Sequence, residues 1–356
     1  MRPPPLLFAA LLLAAGTADE RPAPDRPSGK APHPRQVLLD EVHRGIVLGM
    51  HSKERGFDYG PALAEIADLG ANWVSLSFVG LLDSVEATTI DRSSPRTPSD
   101  GDLVATIRKA KAKNLRVLVF PIVLLRSPGP DDWRGVLKPR DLAEWFRSLR
   151  EFVLHYARIA RDEGAEALSI GSEYCLQEKE TESWRRIIRA TREVYPGLLT
   201  YSANWDHYDV PQFWDELDFV GMSSYHRLSD SKDPSVSEMA KKWEGVRDEV
   251  VNRFAKKIGK KVAFTEVGYP SLDDGNEYPW NYLMKNAIDL EEQADCYRAF
   301  AAVWPRQEWL AGAYFYEWWG EGGPEDRSYT PRGKPAEKVL RDYFKRLAEP
   351  DDRPAR

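Results

Sequence analysis

Two glutamates stand at the ends of strand-like segments, where a charge is costly. Glu173 follows the run "EALSIGS" (166–172), and Glu266 lies in "KVAFTEVG" (261–268). An ionised carboxylate in apolar surroundings is expensive unless a partner holds it. Two carboxyls facing each other across a cleft are the equipment for glycoside hydrolysis. One, kept protonated by burial or a neighbouring charge, donates its proton to the leaving oxygen, and the other attacks the anomeric carbon. The general acid then serves as base toward water. A single strand-end glutamate reads more readily as half of a buried salt bridge. Two on suitable strands, with Trp and Tyr around them, favour chemistry.

What must position them is legible in the pattern. Eight short apolar runs read as strands: 45–50, 72–78, 116–125, 166–172, 198–204, 218–224, 261–268 and 312–318. They are apolar on both faces, as strands of a parallel sheet are. Amphipathic, helix-like segments separate them, several closed by glycine or basic residues. The exception is the short "VPQFWDEL" between the fifth and sixth runs. Eight β–α repeats predict a (β/α)₈ TIM barrel, a single domain of class α/β. An open doubly wound sheet is the runner-up, but no glycine-rich phosphate loop follows an early strand. In a barrel the strands' C-terminal ends carry the site. They bring together His51, Phe78, Leu124, Glu173, Asn204, Tyr225, His226, Glu266 and Glu317, with Glu173 on strand four and Glu266 on strand seven.

The composition narrows the partners. The chain has 356 residues, a net charge of −6, 12 Trp, 15 Tyr and 13 Phe. Without a basic excess, nucleic acid is not expected. Aromatic richness suits stacking on sugar rings. Cys175 and Cys296 are the only cysteines, which leaves one disulfide open. Cys175 itself reads as a small buried hydrophobe. His51, His207 and His226 lack a ligand-like spacing, so no metal and no cofactor is expected.

Arg2, the apolar run "LLFAALLLAA" and the small residues after it predict a signal peptide over 1–18, too short to span a membrane. A Pro-rich linker over 19–36, a catalytic domain over 37–347 and a disordered tail over 348–356 complete the plan. The expectation is a secreted or periplasmic monomer with no membrane span.

The stretches "LGANWVSLS", "LSIGSEY", "SWRRIIRATREVYPGLLTYSANWDHYDVPQFWDELDFVGMSSY", "AFTEVGYPS" and "YTPRGKPAEKVL" resemble glycoside hydrolase family 113. These are retaining β-mannanases within the large clan of barrels that carry catalytic Glu on strands four and seven. The resemblance implies that Glu173 is the acid/base and Glu266 the nucleophile, roles the residues alone leave open. It implies a poly- or oligosaccharide substrate of the β-mannan type. Where the wider clan places Asn to hold the sugar 2-hydroxyl, this chain has Ser172, and family 113 is similar in using a small hydroxyl residue there.

Tyr225 is placed to donate a hydrogen bond to the nucleophile. Asn204 and Trp205 resemble sugar-subsite residues, and Trp205, Trp280, Trp318 and Trp319 are candidate stacking platforms. Trp318 and Trp319 are adjacent, so in extended chain they point opposite ways and at least one could reach the cleft. Glu317 could bind a sugar hydroxyl or pair with an arginine. The third strand departs from the family. A Lys-Pro-His type of segment is expected there, but Phe120 and Ile122 flank Pro121. Losing polar contacts puts the substrate in question. The alternatives are therefore hydrolysis or transglycosylation of another β-linked glycan, or an inactive carbohydrate-binding barrel.

Overall fold

The computed structural model describes residues 34–231 and 233–349. The expected signal peptide, nearly all of the Pro-rich segment and the tail from residue 350 lie outside the described residues. Helix α1 (Pro34–Asp40) takes in the last three residues of that Pro-rich segment.

Eight parallel strands close into a barrel in chain order: β1 (His43–Gly49), β2 (Trp73–Leu82), β3 (Arg116–Leu125), β4 (Ala167–Ser172), β5 (Leu198–Asn204), β6 (Val220–Ser223), β7 (Val262–Val267) and β8 (Leu310–Trp318). β8 pairs with β1 to complete the ring. The connecting helices are α2 (Gly60–Asp68), α3 (Asp100–Ala112), α4 (Leu142–Asp162), α5 (Thr181–Val194), α6 (Val236–Val246), α7 (Lys256–Ile258), α8 (Leu290–Val303) and α9 (Pro335–Ala348). A π-helical stretch, Arg247–Ala255, joins α6 to α7. The short connection between β5 and β6 holds only one turn of 3₁₀ helix, Trp214–Glu216. The fold is the (β/α)₈ TIM barrel.

Local chemistry sets the helix starts. Ser99 and Asp102 form a reciprocal capping box on α3, as do Ser235 and Glu238 on α6, each satisfying donors that the first turn leaves open. Asp141 and Asp289 cap α4 and α8 through their side chains.

The strands are buried on both faces because each side meets a different apolar layer. Outward residues such as Leu76, Leu168, Tyr201 and Phe264 join the helix-facing core. Inward residues fill the barrel in tiers. Trp73, Phe219 and Tyr314 close the lower end, with His43 stacked on Trp73 at 4.2 Å between ring centroids. Burial there pulls the His43 ring down to about 4, so it packs as a neutral side chain. Higher up the lining turns polar: Ser202 Oγ lies 2.6 Å from Thr265 Oγ1 and 3.0 Å from Ser223 Oγ. Above that hydroxyl tier the strand ends open into the site.

Candidate active site

Strand β4 ends at Ser172, and the next residue, Glu173, turns into left-handed backbone at φ 56°. A non-glycine residue there costs about 1–2 kcal/mol, and such strain gathers at sites that need a side chain aimed against the local grain. Two bonds hold the turn: Glu173 N–H donates to the Ser202 carbonyl at 2.8 Å, and Tyr174 N–H donates to the Tyr201 hydroxyl at 2.8 Å. The result is a Glu173 side chain that is nearly buried at the barrel mouth.

Its carboxylate is paired. Arg134 places a guanidinium nitrogen 2.5 Å from Glu173 Oε2, both side chains being largely shielded from solvent. The field of Glu173, and then of Glu266, holds the Arg134 guanidinium firmly charged against the opposing effect of burial. Arg134 sits in a 3₁₀ turn, Arg134–Val136, after β3. It was not among the residues singled out from the sequence, because loop arginines are common and nothing in its spacing distinguishes it. The inner face of β3 is apolar, as its sequence implied: Phe120 and Ile122 are buried in the barrel interior, with Leu124 packed against them. The segment after β3 thus supplies a charge that the strand itself lacks.

Across the mouth, β7 delivers Glu266, 4% exposed. The Tyr225 hydroxyl donates to Glu266 Oε2 at 2.8 Å, the contact expected from the position of Tyr225 after β6. Tyr225 packs among Tyr316 and Tyr329, at centroid distances of 6.3 and 6.0 Å. Burial, and next the negative charge of Glu173, push the Glu266 carboxyl up to about 7, against the opposing pull of Arg134 and Tyr225. The two glutamates therefore share one field, in which a second negative charge is resisted.

Glu317, joined to Tyr316 by a cis peptide, accepts from His51 Nε2 at 2.7 Å. Its partner is thus a histidine from the β1 end rather than an arginine. A β-carbon on Gly49 would overlap both Glu317 Oε2 and the His51 ring, so this close pairing needs glycine there. Asn204 ends β5 and turns its amide along the loop, donating from Nδ2 to Asp206 at 3.0 Å and accepting from Trp205 N–H at 3.1 Å. Ser172 is fully buried, with an Oγ that has no hydrogen-bond partner.

The four tryptophans divide. Trp205 and Trp280 stack on each other, 6.3 Å apart and 19° from parallel, and Trp280 is 47% exposed. Trp319 is partly buried beside His51, Phe57 and Tyr59. Trp318 is not a stacking platform. It is 2% exposed within the outer core, and its Nε1 donates to Glu65 of α2 at 2.9 Å. Strict alternation from the inward Tyr314 and Tyr316 would send Trp318 inward too, but β8 carries an extra residue against β1 between Phe315 and Trp318, and this shift turns Trp318 toward the helices. Both cysteines are free thiols, so the open question of a disulfide is settled.

Paired buried carboxyls from β4 and β7, at the mouth of a (β/α)₈ barrel, define the class of sugar-cleaving barrels, and the comparisons agree. The family model described as Glycoside Hydrolase Family 113 matches residues 53–334. No curated protein matches the chain. Among solved structures, the chain resembles the family 113 β-mannanase AaManA from Alicyclobacillus acidocaldarius in complex with ManMIm. The identity is 29% and the TM-score 0.78, over 87% of this chain and all of that one. Two structures of a family 113 β-1,4-mannanase are similar at 25% and 26% identity, both with a TM-score of 0.75, over 86% of this chain and 99% of theirs. The chain belongs to glycoside hydrolase family 113 and is a glycoside hydrolase.

Proposed function

We propose that the protein is a retaining β-glycoside hydrolase acting on β-mannan or manno-oligosaccharides. Glu173 is the acid/base and Glu266 the nucleophile. The observation that carries this reading is the pair of buried carboxyls, each with its own partner, Arg134 on Glu173 and Tyr225 on Glu266. The β-mannanase structures it resembles support the substrate.

The chemistry follows from the partners. Tyr225 donates to Glu266 and stabilises its charged form, which is the form that attacks C1. Glu266 O⁻ forms a bond to the anomeric carbon as the glycosidic C–O bond breaks. The leaving oxygen takes the proton of Glu173, and a glycosyl-enzyme ester remains. Glu173, now ionised, removes a proton from water, which attacks C1 and releases Glu266. Arg134 stabilises the ionised Glu173 between these steps. The pair needs one proton in total at the outset, and the burial and the Glu173 charge that raise the Glu266 carboxyl support its holding one. The entering leaving-group oxygen must draw that proton to Glu173.

Asn204 and Glu317 are assigned to sugar hydroxyls and the Trp205–Trp280 pair to an apolar sugar face, whereas Ser172, fully buried, does not reach a sugar. Export through the N-terminal apolar run and action as a monomer are part of the same reading.

A second reading is favoured by one observation, the apolar inner face of β3 at Phe120 and Ile122. It keeps the mechanism and changes the sugar. Product release from a panel of β-linked polysaccharides and oligosaccharides, with Glu266→Gln as paired control, decides. Release from mannans by the wild type alone supports the first reading, and release only from another glycan supports the second. Binding without any release would overturn both in favour of a carbohydrate-binding barrel.

A further inference from the structure

Outside the barrel wall, between the loops that follow β4 and β5, three potential metal ligands converge. Cys175, Glu178 and His207 each bring one ligand atom to within 4.8 Å of the others. They were not legible as a group in the sequence, since His207 lies far from the other two along the chain.

Glu178 is wholly buried. Its Oε1 accepts from the Tyr201 hydroxyl at 2.8 Å, but Oε2 has no hydrogen-bond partner. A buried polar atom left without one costs about 1–3 kcal/mol, and more when charged. Oε2 points toward His207 Nδ1, which also has no hydrogen-bond partner, at 3.3 Å. That is wide for a charge-assisted hydrogen bond, which falls at about 2.7–2.9 Å. It matches the edge of a tetrahedron whose N and O ligands lie about 2.0 Å from a zinc ion, which is roughly 3.3 Å.

Cys175 supplies a soft third donor. Its Sγ contacts the Glu173 carbonyl oxygen at 3.7 Å. Burial raises the thiol pKa, and the negative charges of Glu178, Glu173 and Asp206 raise it further. Burial likewise pushes the Glu178 carboxyl up to about 7, against the pull of Tyr201 and His207. A cation among these groups would reverse both effects.

We propose that Cys175, Glu178 and His207 form a binding site for a borderline-soft divalent cation of the zinc type. Three protein ligands of mixed S, O and N character suit such an ion and leave a position for water. On binding, the Cys175 thiol releases its proton to solvent and its sulfur donates as thiolate. The ion would tie the β4 loop, which presents Glu173, to the β5 loop, which presents Asn204 and Trp205. The second acidic cluster, Asp273 with Asp289 and Glu292, offers oxygen alone and cannot give a sulfur signature.

Cobalt(II) tests this directly. The full chain, stripped with chelator and exchanged into chelator-free buffer, is titrated with Co²⁺ while the near-ultraviolet thiolate-to-cobalt charge-transfer band is followed. The expected result is saturation at one equivalent, with Zn²⁺ bleaching the band. The band should be lost in Cys175→Ser and kept in Cys296→Ser. His207→Ala, in a loop and only partly buried, should weaken apparent Co²⁺ affinity by roughly 10- to 100-fold or more. Should Cys175→Ser fail to fold by circular dichroism, His207→Ala carries the test. No charge-transfer band at stoichiometric Co²⁺, or a band unchanged in the folded variants, would overturn the site. Neither readout depends on the sugar cleaved.

Discussion

The Tyr225 hydroxyl sits 2.8 Å from Glu266 Oε2, on a carboxyl group that is otherwise almost sealed from water. This donor opposes the burial that would otherwise keep Glu266 protonated. Tyr225→Phe removes it without opening much space. We expect kcat to fall roughly 10- to 100-fold, the worth of a hydrogen bond to a charged group. The alkaline limb of the pH–rate profile should move upward, because the Glu266 charge becomes harder to form. An unchanged profile with a lower rate would show that Tyr225 acts on the substrate instead.

The pH dependence of the wild type follows from the same pair. The reactive form holds one proton between Glu173 and Glu266. Above about pH 7, where the buried Glu266 carboxyl ionises beside Glu173, that last proton is lost. The value of kcat/KM should therefore decline as pH rises through about 7. Arg134 lowers the Glu266 value, so Arg134→Gln should shift this limb to higher pH. A limb that stays in place in Arg134→Gln would remove the arginine from the electrostatic account.

Stability and activity should pull against each other at Glu266. Its folded-state value is about 7 against an ordinary 4.5. The folded protein thus binds more protons than the unfolded chain between these values, and stability falls as pH rises across that window. Glu266→Gln removes the penalty. It should be inactive yet more stable than wild type at pH 7.5 by about 1–3 kcal/mol, with the gain vanishing near pH 4. Denaturant unfolding at the two pH values measures it, and equal stabilities at pH 7.5 would contradict the buried charge.

The tryptophans separate binding from folding. Trp205→Ala or Trp280→Ala should raise KM about 3- to 10-fold with little loss of stability. Trp318→Ala should cost about 3–5 kcal/mol of stability and leave KM of the surviving folded enzyme unchanged. A reversed pattern would show that the orientation along β8 is misread.

Much of this arrangement was legible from strand ends. The runs at 116–125 and 198–204 coincide with β3 and β5, because turn residues bound them sharply. Glu173, Glu266 and Tyr225 could be found because a barrel sends one end of each strand to the same mouth. Arg134 could not, since its placement depends on how a long loop folds back over the site. The orientation of Trp318 was open for a related reason. Alternation says that two adjacent side chains diverge, but the direction depends on register, and β8 shifts register against both β1 and β7. Cys175, Glu178 and His207 meet only through tertiary contact between two loops.

The stereochemistry of the first product tests the central claim most directly. Proton NMR of the anomeric region, recorded in the first minutes of hydrolysis of a β-linked manno-oligosaccharide or of whichever β-glycan the panel identifies, reads it before mutarotation. Double displacement through Glu266 predicts that the β-anomer appears first and the α-anomer grows in slowly. An α-anomer at the outset would mean a single displacement by water and would contradict the assignment of Glu266 as nucleophile.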